Sequence, residues 1–252
     1  MSQAITIIGI DAATQPKKLG LARGRFDGGE AAVHEVTLGS ELESVVETLV
    51  SWVCGPTLLA IDAPLGWPSA LAAGLHGHRA GAPLIGDATS LFRRVTDQLV
   101  HARLGKLPLE VGADRIARTA HATLGLIDTL RTELRRSIPL AWSRRVRGVA
   151  AIEVYPAATL RTYDLDAKGY KGATDGAPAK RRDLTRALSK HLALGDTAPT
   201  LRASDDCLDA AVCILAAADF LAGRCLAPTA KQRAAARTEG WIWFRDRPHP
   251  PR

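Results

Sequence analysis

The chain has 252 residues, 46% of them hydrophobic and 5% aromatic, and a net charge of +7. That length and apolar content suit one large domain with a core of Ala, Leu, Val and Ile, and no apolar run is long enough to span a bilayer. Cys54, Cys207, Cys213 and Cys225 include no CxxC pair, which excludes a disulfide framework or a zinc site and points to free thiols in a reducing compartment. No basic leader precedes the first apolar run, so a cytoplasmic protein is expected. The positive balance favours a polyanionic partner, nucleic acid foremost, although an arginine-rich solvated surface produces the same balance.

Residues 4–10 (AITIIGI) form a short, β-branched apolar run that stops at Asp11, the pattern of a buried central strand. Residues 20–26 and 31–38 read as the next two strands. Turn-rich segments join the three, so an antiparallel meander is expected. Over 41–53, Leu42, Val45, Val46, Leu49 and Val50 recur at helical spacing, with Ser40 as N-cap. Residues 57–61 are another buried strand, again ending in an acid, Asp62. Three meander strands, a helix and a further strand are the order of a mixed sheet with a parallel addition.

Residues 64–148 interrupt this pattern and predict a helical insertion within a single domain, 1–252. Helices are expected over 90–104 and 114–136, the second with Ile116, Ala120, Leu124, Ile127, Leu130 and Leu134 on one face. Residues 149–155 (VAAIEVY) resume the sheet, with Glu153 near the end and Pro156 closing it. The Gly-, Lys- and Asp-rich stretch 164–179 predicts a mobile loop. Residues 180–194 read as an amphipathic helix, and 205–222 as the most apolar helix, capped by Ser204 or Asp205. Trp241, Trp243 and Phe244 precede a Pro-rich end expected to fray. The histidines, His34, His76, His78, His101, His121 and His191 among them, are scattered and read as structural or solvent-facing.

The acids carry the chemistry. A carboxylate directly after a buried strand is costly unless it is paired or binds a metal. Adjacent strands lie about 4.8 Å apart, so Asp11 and Asp62 on neighbours can share a cation. In SDDCLDAA, Asp206 and Asp209 lie at i and i+3, on one face of an otherwise apolar helix near its positive end. Glu153 is a further strand-end acid. Oxygen donors without soft ligands point to Mg²⁺ or Mn²⁺, and two such ions would serve phosphodiester hydrolysis. Taken singly, each Asp has the plainer reading of a cap on a turn or helix.

GIDAA with LGLA, AIDAP, FRRVTDQLVHARLG with PLEVGADRI, AIEVYPAATL, KGYKG, DDCLDAA and EGWIWF, in that order, resemble the DUF429 family of predicted ribonuclease H-like nucleases. The resemblance runs from about residue 8 to 244. It implies a ribonuclease H-like fold, with a mixed five-stranded sheet flanked by helices, and a RuvC-like acidic site. Asp11, Asp62, Asp206 and Asp209 match as metal ligands, with Glu153 in the EVYP motif as a further catalytic acid. Arg93, Asp97, Arg103 and Lys171 match recurring family positions. They read as substrate contacts, against the plainer Arg93–Asp97 surface pair at i,i+4. Lys168 and Lys171, with Arg181 and Arg182 after them, are expected to hold phosphates in a glycine-bearing loop.

A metal-dependent nuclease acting by a two-metal mechanism is the function these features favour. An ATP phosphotransferase of the actin and sugar-kinase fold is the alternative, because GIDAATQPKKLGLA resembles its first phosphate loop. It lacks the usual glycine after Asp11, and no second phosphate loop is evident. A non-catalytic nucleic-acid-binding protein of the same fold is the third reading.

Overall fold

The computed structural model describes residues 3–112 and 114–247. The Pro-rich end at 248–252, expected to fray, lies outside the described residues. The β-branched runs pair as a five-stranded sheet. Its strands are β1 (Ile5–Asp11), β2 (Gly20–Asp27), β3 (Glu30–Leu38), β4 (Thr57–Asp62) and β5 (Val149–Glu153), in the order β3-β2-β1-β4-β5. The meander β1–β2–β3 is antiparallel, and β4 and β5 add in parallel. This is the mixed α/β sheet that the strand pattern predicts.

Ten helices surround it among the described residues. The first five are α1 (Val45–Trp52), α2 (Ser69–Leu75), α3 (Ala88–Phe92), α4 (Val95–Leu104) and α5 (Asp114–Leu134). The rest are α6 (Pro156–Thr162), α7 (Ala177–Leu188), α8 (Ala198–Ala203), α9 (Asp205–Leu221) and α10 (Arg233–Glu239). None is long and apolar enough to cross a membrane. Two boundaries differ from expectation for identifiable reasons. Ser44, not Ser40, caps α1, its hydroxyl accepting the Glu47 N–H at 3.2 Å. The helix expected over 90–104 is broken into α3 and α4, because Arg93 and Arg94 adopt extended backbone.

Strand alternation divides the core in two. Ile7, Ala22, Leu58, Ala60 and Ile152 face α9 on one side. Ile8, Ile10, Leu21, Leu59, Ile61 and Ala151 face Leu49 and Trp52 of α1 and Ile127 and Leu130 of α5 on the other. The segment 64–148 is therefore more than an insertion. Its long helix supplies one of the covering layers and forms the crossover that parallel β4 and β5 require.

On the α9 side the alternation places Gly9, then Asp11, on β1, and Gly20 on the paired β2. A Cβ on Gly9 would stand 2.1 Å from the carbonyl oxygen of Ala210, and one on Gly20 would stand 2.1 Å from that of Asp206. The first half of α9 thus lies directly on the backbone of two strands, where only glycine fits. Gly9→Ala or Gly20→Ala should cost about 1–3 kcal/mol by overpacking. Gly125→Ala, exposed in α5 with nothing near its Cβ direction, should stabilise by up to about 1 kcal/mol. Urea unfolding of the three variants checks the opposite signs.

Candidate metal centre

Asp11 and Asp62 are register partners at the carboxyl ends of the adjacent parallel strands β1 and β4. Both lie on the face that α9 covers. Ser204 caps that helix, accepting the Cys207 N–H at 3.2 Å, which sets the helix phase and brings Asp209 to the same point. Asp11, Asp62 and Asp209 each offer a carboxylate oxygen, and the three oxygens lie within 4.8 Å of one another. Asp206, a turn earlier and half-exposed, lies at the rim within hydrogen-bonding reach of Asp11.

The loop before α7 closes the site from above. Tyr170 is buried between Gly169 and Gly172, both at positive φ, and its hydroxyl donates to Asp209 Oδ1 at 2.6 Å. Lys171 Nζ lies 2.5 Å from Asp209 Oδ2. That fully buried oxygen thus rests against an ammonium whose outer side is exposed. The loop is anchored, where the composition predicts mobility. Arg181 is buried and donates to the carbonyls of Tyr170, Gly172 and Arg202, and Asp205 Oδ2 accepts the Gly172 N–H at 2.9 Å. Arg181 therefore holds the loop instead of facing a phosphate. Asp205 ties down the loop and leaves the cap to Ser204.

Burial first, then the charge of Asp209, raises Asp62 to about 7 against the pull of Lys171. Burial, then Asp209 and Asp62, holds Asp11 well above the ordinary carboxylate range. Burial also raises Asp209, opposed by Lys171 and Tyr170. Lys171 loses hydration, yet Asp209, Asp11 and Asp62 keep its ammonium above the usual lysine value. Asp219, at the other end of α9, gives the contrast. It is equally buried but receives the Tyr163 hydroxyl at 2.9 and 3.0 Å and Arg224 Nε at 2.7 Å, a completed structural pair. Asp209 is partnered likewise by Tyr170 and Lys171, but among the described residues Asp11 and Asp62 have no cation within 4 Å.

These residues fit a hard divalent cation. They are oxygen donors with no thiol or imidazole among them, and among the described residues Asp11 and Asp62 have no cation within 4 Å. Oxygens held about 2.1 Å from one Mg²⁺ lie at most about 4.2 Å apart, so rotation of the half-buried Asp11 and Asp62 side chains suffices. Three carboxylates less one ammonium leave two negative charges, the charge of one divalent ion.

Other residues singled out in the sequence lie elsewhere. Glu153 pairs in register with Ile61, one residue short of Asp62, and so points to the opposite face of the sheet. There it accepts from the Leu65 N–H and from Arg94, away from the metal trio. Arg94 was not apparent from the sequence, yet it organises this region. It is 1% exposed and spends all five donors, two on Asp97, two on Glu153 and one on the Glu239 carbonyl. Asp97 is thus an internal partner and not a substrate contact, and it does not pair with Arg93. Arg93 pairs with Glu110 at 3.0 Å, and Arg103 approaches Asp246 at 3.6 Å. Lys168 is solvent-exposed, its backbone N–H bound to Asp166. Of the expected substrate contacts, only Lys171 meets the acids. Tyr170 was also missed, although a lone aromatic between two glycines of a polar loop is a signal that it folds inward.

A family model described as "Protein of unknown function (DUF429)" matches residues 9–233. No curated protein and no solved structure matches the chain.

Two outcomes test this electrostatic account. Between an ordinary carboxylate value near 4 and about 7, the folded chain holds the extra Asp62 proton, so this site's contribution to stability falls as pH rises through that window. Thermal melting in chelator from pH 4 to 8 should show Asp62→Asn flattening that decline and raising Tm at pH 8. Arg94→Ala should cost about 3–5 kcal/mol by stranding buried carboxylates. Arg94→Lys should restore little, because an ammonium cannot reproduce the planar fork. Urea unfolding reads both.

Proposed function

This chain belongs to the DUF429 family, and we propose that it is a divalent-metal-dependent nuclease of the ribonuclease H-like kind, hydrolysing phosphodiester bonds of nucleic acid. The observation that carries the reading is the convergence of three buried or half-buried carboxylates, Asp11, Asp62 and Asp209, on one point, with a single ammonium, on Asp209, to offset them. In this reading Mg²⁺ or Mn²⁺ is held by these three acids, with Asp206 at the open rim.

When bound, the ion supplies a Lewis acid for a phosphoryl oxygen and lowers the pKa of water toward neutrality. Asp11 and Asp62 must lose their protons to ligate, so affinity for the ion rises with pH through about 7. Tyr170 fixes the orientation of Asp209, leaving its second oxygen toward the trio. Lys171 neutralises part of the acid cluster and, exposed on its outer side, is placed to hold a phosphate oxygen. The charge balance favours one divalent ion beside Lys171 over the two ions expected from the acids alone. Glu153, on the opposite face, takes no part.

The kinase alternative needs a glycine-bearing hairpin whose amides cradle phosphate. Residues 12–19, between β1 and β2, contain no glycine and no residue at positive φ. An ATP titration by calorimetry should therefore show no binding.

Asp11→Asn should keep the fold and abolish Mn²⁺-dependent cleavage of labelled single-stranded DNA or RNA, because an amide does not supply the charge that holds the ion. Calorimetry should find one Mn²⁺ per wild-type chain, tighter at pH 8 than at pH 6, and none in Asp11→Asn. Wild-type cleavage by a folded Asp11→Asn protein would end this reading.

A further inference from the structure

The positive charges nearest the acids already have partners. Lys171 pairs with Asp209 while its outer side stays exposed, and Arg181 holds the loop carbonyls. A dense group of unpaired charges lies on another surface. Between α5 and β5, residues 135–147 (RRSIPLAWSRRVR) contain five arginines and no acid. Arg136, Arg145 and Arg147 line a cleft of about 600 Å³. Arg233 and Arg237 of α10 line a second, of about 270 Å³. Trp142 lines both. Among the described residues, none of these five arginines, nor the adjacent Arg135 and Arg144, forms an ion pair within 4 Å. These seven exposed arginines equal the net charge of the whole chain, +7.

The surface is built and not merely loose. Ile138, Ala141 and Val146 are buried beneath it. The Ala141 N–H donates to Ala151 of β5 at 2.8 Å, and the Ala151 N–H donates back to Pro139 at 2.9 Å. Trp142 is 37% exposed, while the other four tryptophans are buried or half-buried. Its ring lies beside buried Trp243, tilted by 59° with centroids 6.4 Å apart. Arg135 stands at φ 50°, the conformation in which helices usually end on glycine, and so keeps a cation where a side chain is disfavoured. Unpaired arginines repel one another unless a polyanion lies among them, and an aromatic face set among them suits an unstacked base.

We propose that this surface is the binding track for single-stranded nucleic acid, with Trp142 as the stacking platform and the arginines on the phosphates. The proposal deepens the nuclease reading and rests on it for the identity of the polyanion. The strip at Leu140 borders β5, two strand spacings (on the order of 10 Å) from β4, and is level with Leu59, about another 10 Å along the strand from Asp62. A strand held there is within a few nucleotides of Asp62.

The test is fluorescence anisotropy of labelled oligothymidylate in chelator, over a series of salt concentrations. Wild-type protein should bind with an affinity that falls steeply with salt. Arg136→Ala with Arg145→Ala and Arg147→Ala should weaken binding and reduce the slope of log K against log salt by about 2, at about 0.7 per lost phosphate contact. Trp142→Ala should weaken binding roughly 5- to 150-fold at an unchanged slope. These side chains are exposed, and circular dichroism should show the variants folded. The two readings separate in the wild-type protein: binding in chelator with no Mn²⁺-dependent cleavage on adding metal would leave the track standing and remove the catalytic assignment. Unchanged affinity and slope in the triple variant would overturn the proposal. So would a preference for duplex over single strand, or binding to phosphatidylserine vesicles but not to the oligonucleotide.

Discussion

Gly9 and Gly20 present bare Cα atoms to α9, and the helix uses that room to lie against the strand backbones, its carbonyls where a Cβ would otherwise stand. At an ordinary helix-to-sheet separation, Asp209 would be held away from the strand ends. At this one, Asp209 meets Asp11 and Asp62, and Asp206 reaches the rim. The apolar remainder of α9, buried from Cys207 to Leu221, fixes the position. Core packing therefore holds like charges together, and the raised proton affinities of Asp11 and Asp62 are the electrostatic consequence.

The molecule treats its buried charges in two ways. Around Arg94 every donor is used, and the network ties α4, β5 and α10 into one block through Asp97, Glu153 and the Glu239 carbonyl. The Glu239 carboxylate extends it, accepting the N–H groups of Ser69 and Val95. Around Asp209 three acids share one cation, and it comes from an exposed lysine able to exchange its partner. Satisfied networks confer rigidity, whereas an unsatisfied acid cluster is the arrangement that a ligand completes. The two lie at the same end of the sheet on opposite faces, so the rigid one braces β5 beside the open one.

Charge at the surface follows the same division. Asp11, Asp62 and Asp209 converge beside Lys171, while seven of the arginines without an ion pair among the described residues lie on the edge formed by residues 135–147 and α10. In the reading proposed here, the edge holds the backbone of a strand and the cleft acts on it. This separation lets the chain carry a positive excess without cancelling the acids that hold the ion.

The elements themselves were largely legible in the sequence. Apolar runs ending in Asp11 and Asp62 marked parallel neighbours, and the Ala-rich run after Ser204 marked the helix that covers them. Local periodicity suffices for this, because burial on one face imposes a period of two or of 3.6 wherever the element lies. What remained undetermined were the relations between elements. Glu153 looked like another strand-end acid, but strand register, set by how β5 pairs with β4, turned it to the other face and toward Arg94. Arg181 and Lys171 looked like equivalent loop cations, but one is buried beneath the loop and the other reaches the acids. The sequence shows the arginines of 135–147 and of α10 but not that they share one surface without an ion pair. Composition and spacing specify which groups are present and which face of an element is apolar. Which charge finds a partner depends on distances between residues far apart in the chain, and those are decided by tertiary packing.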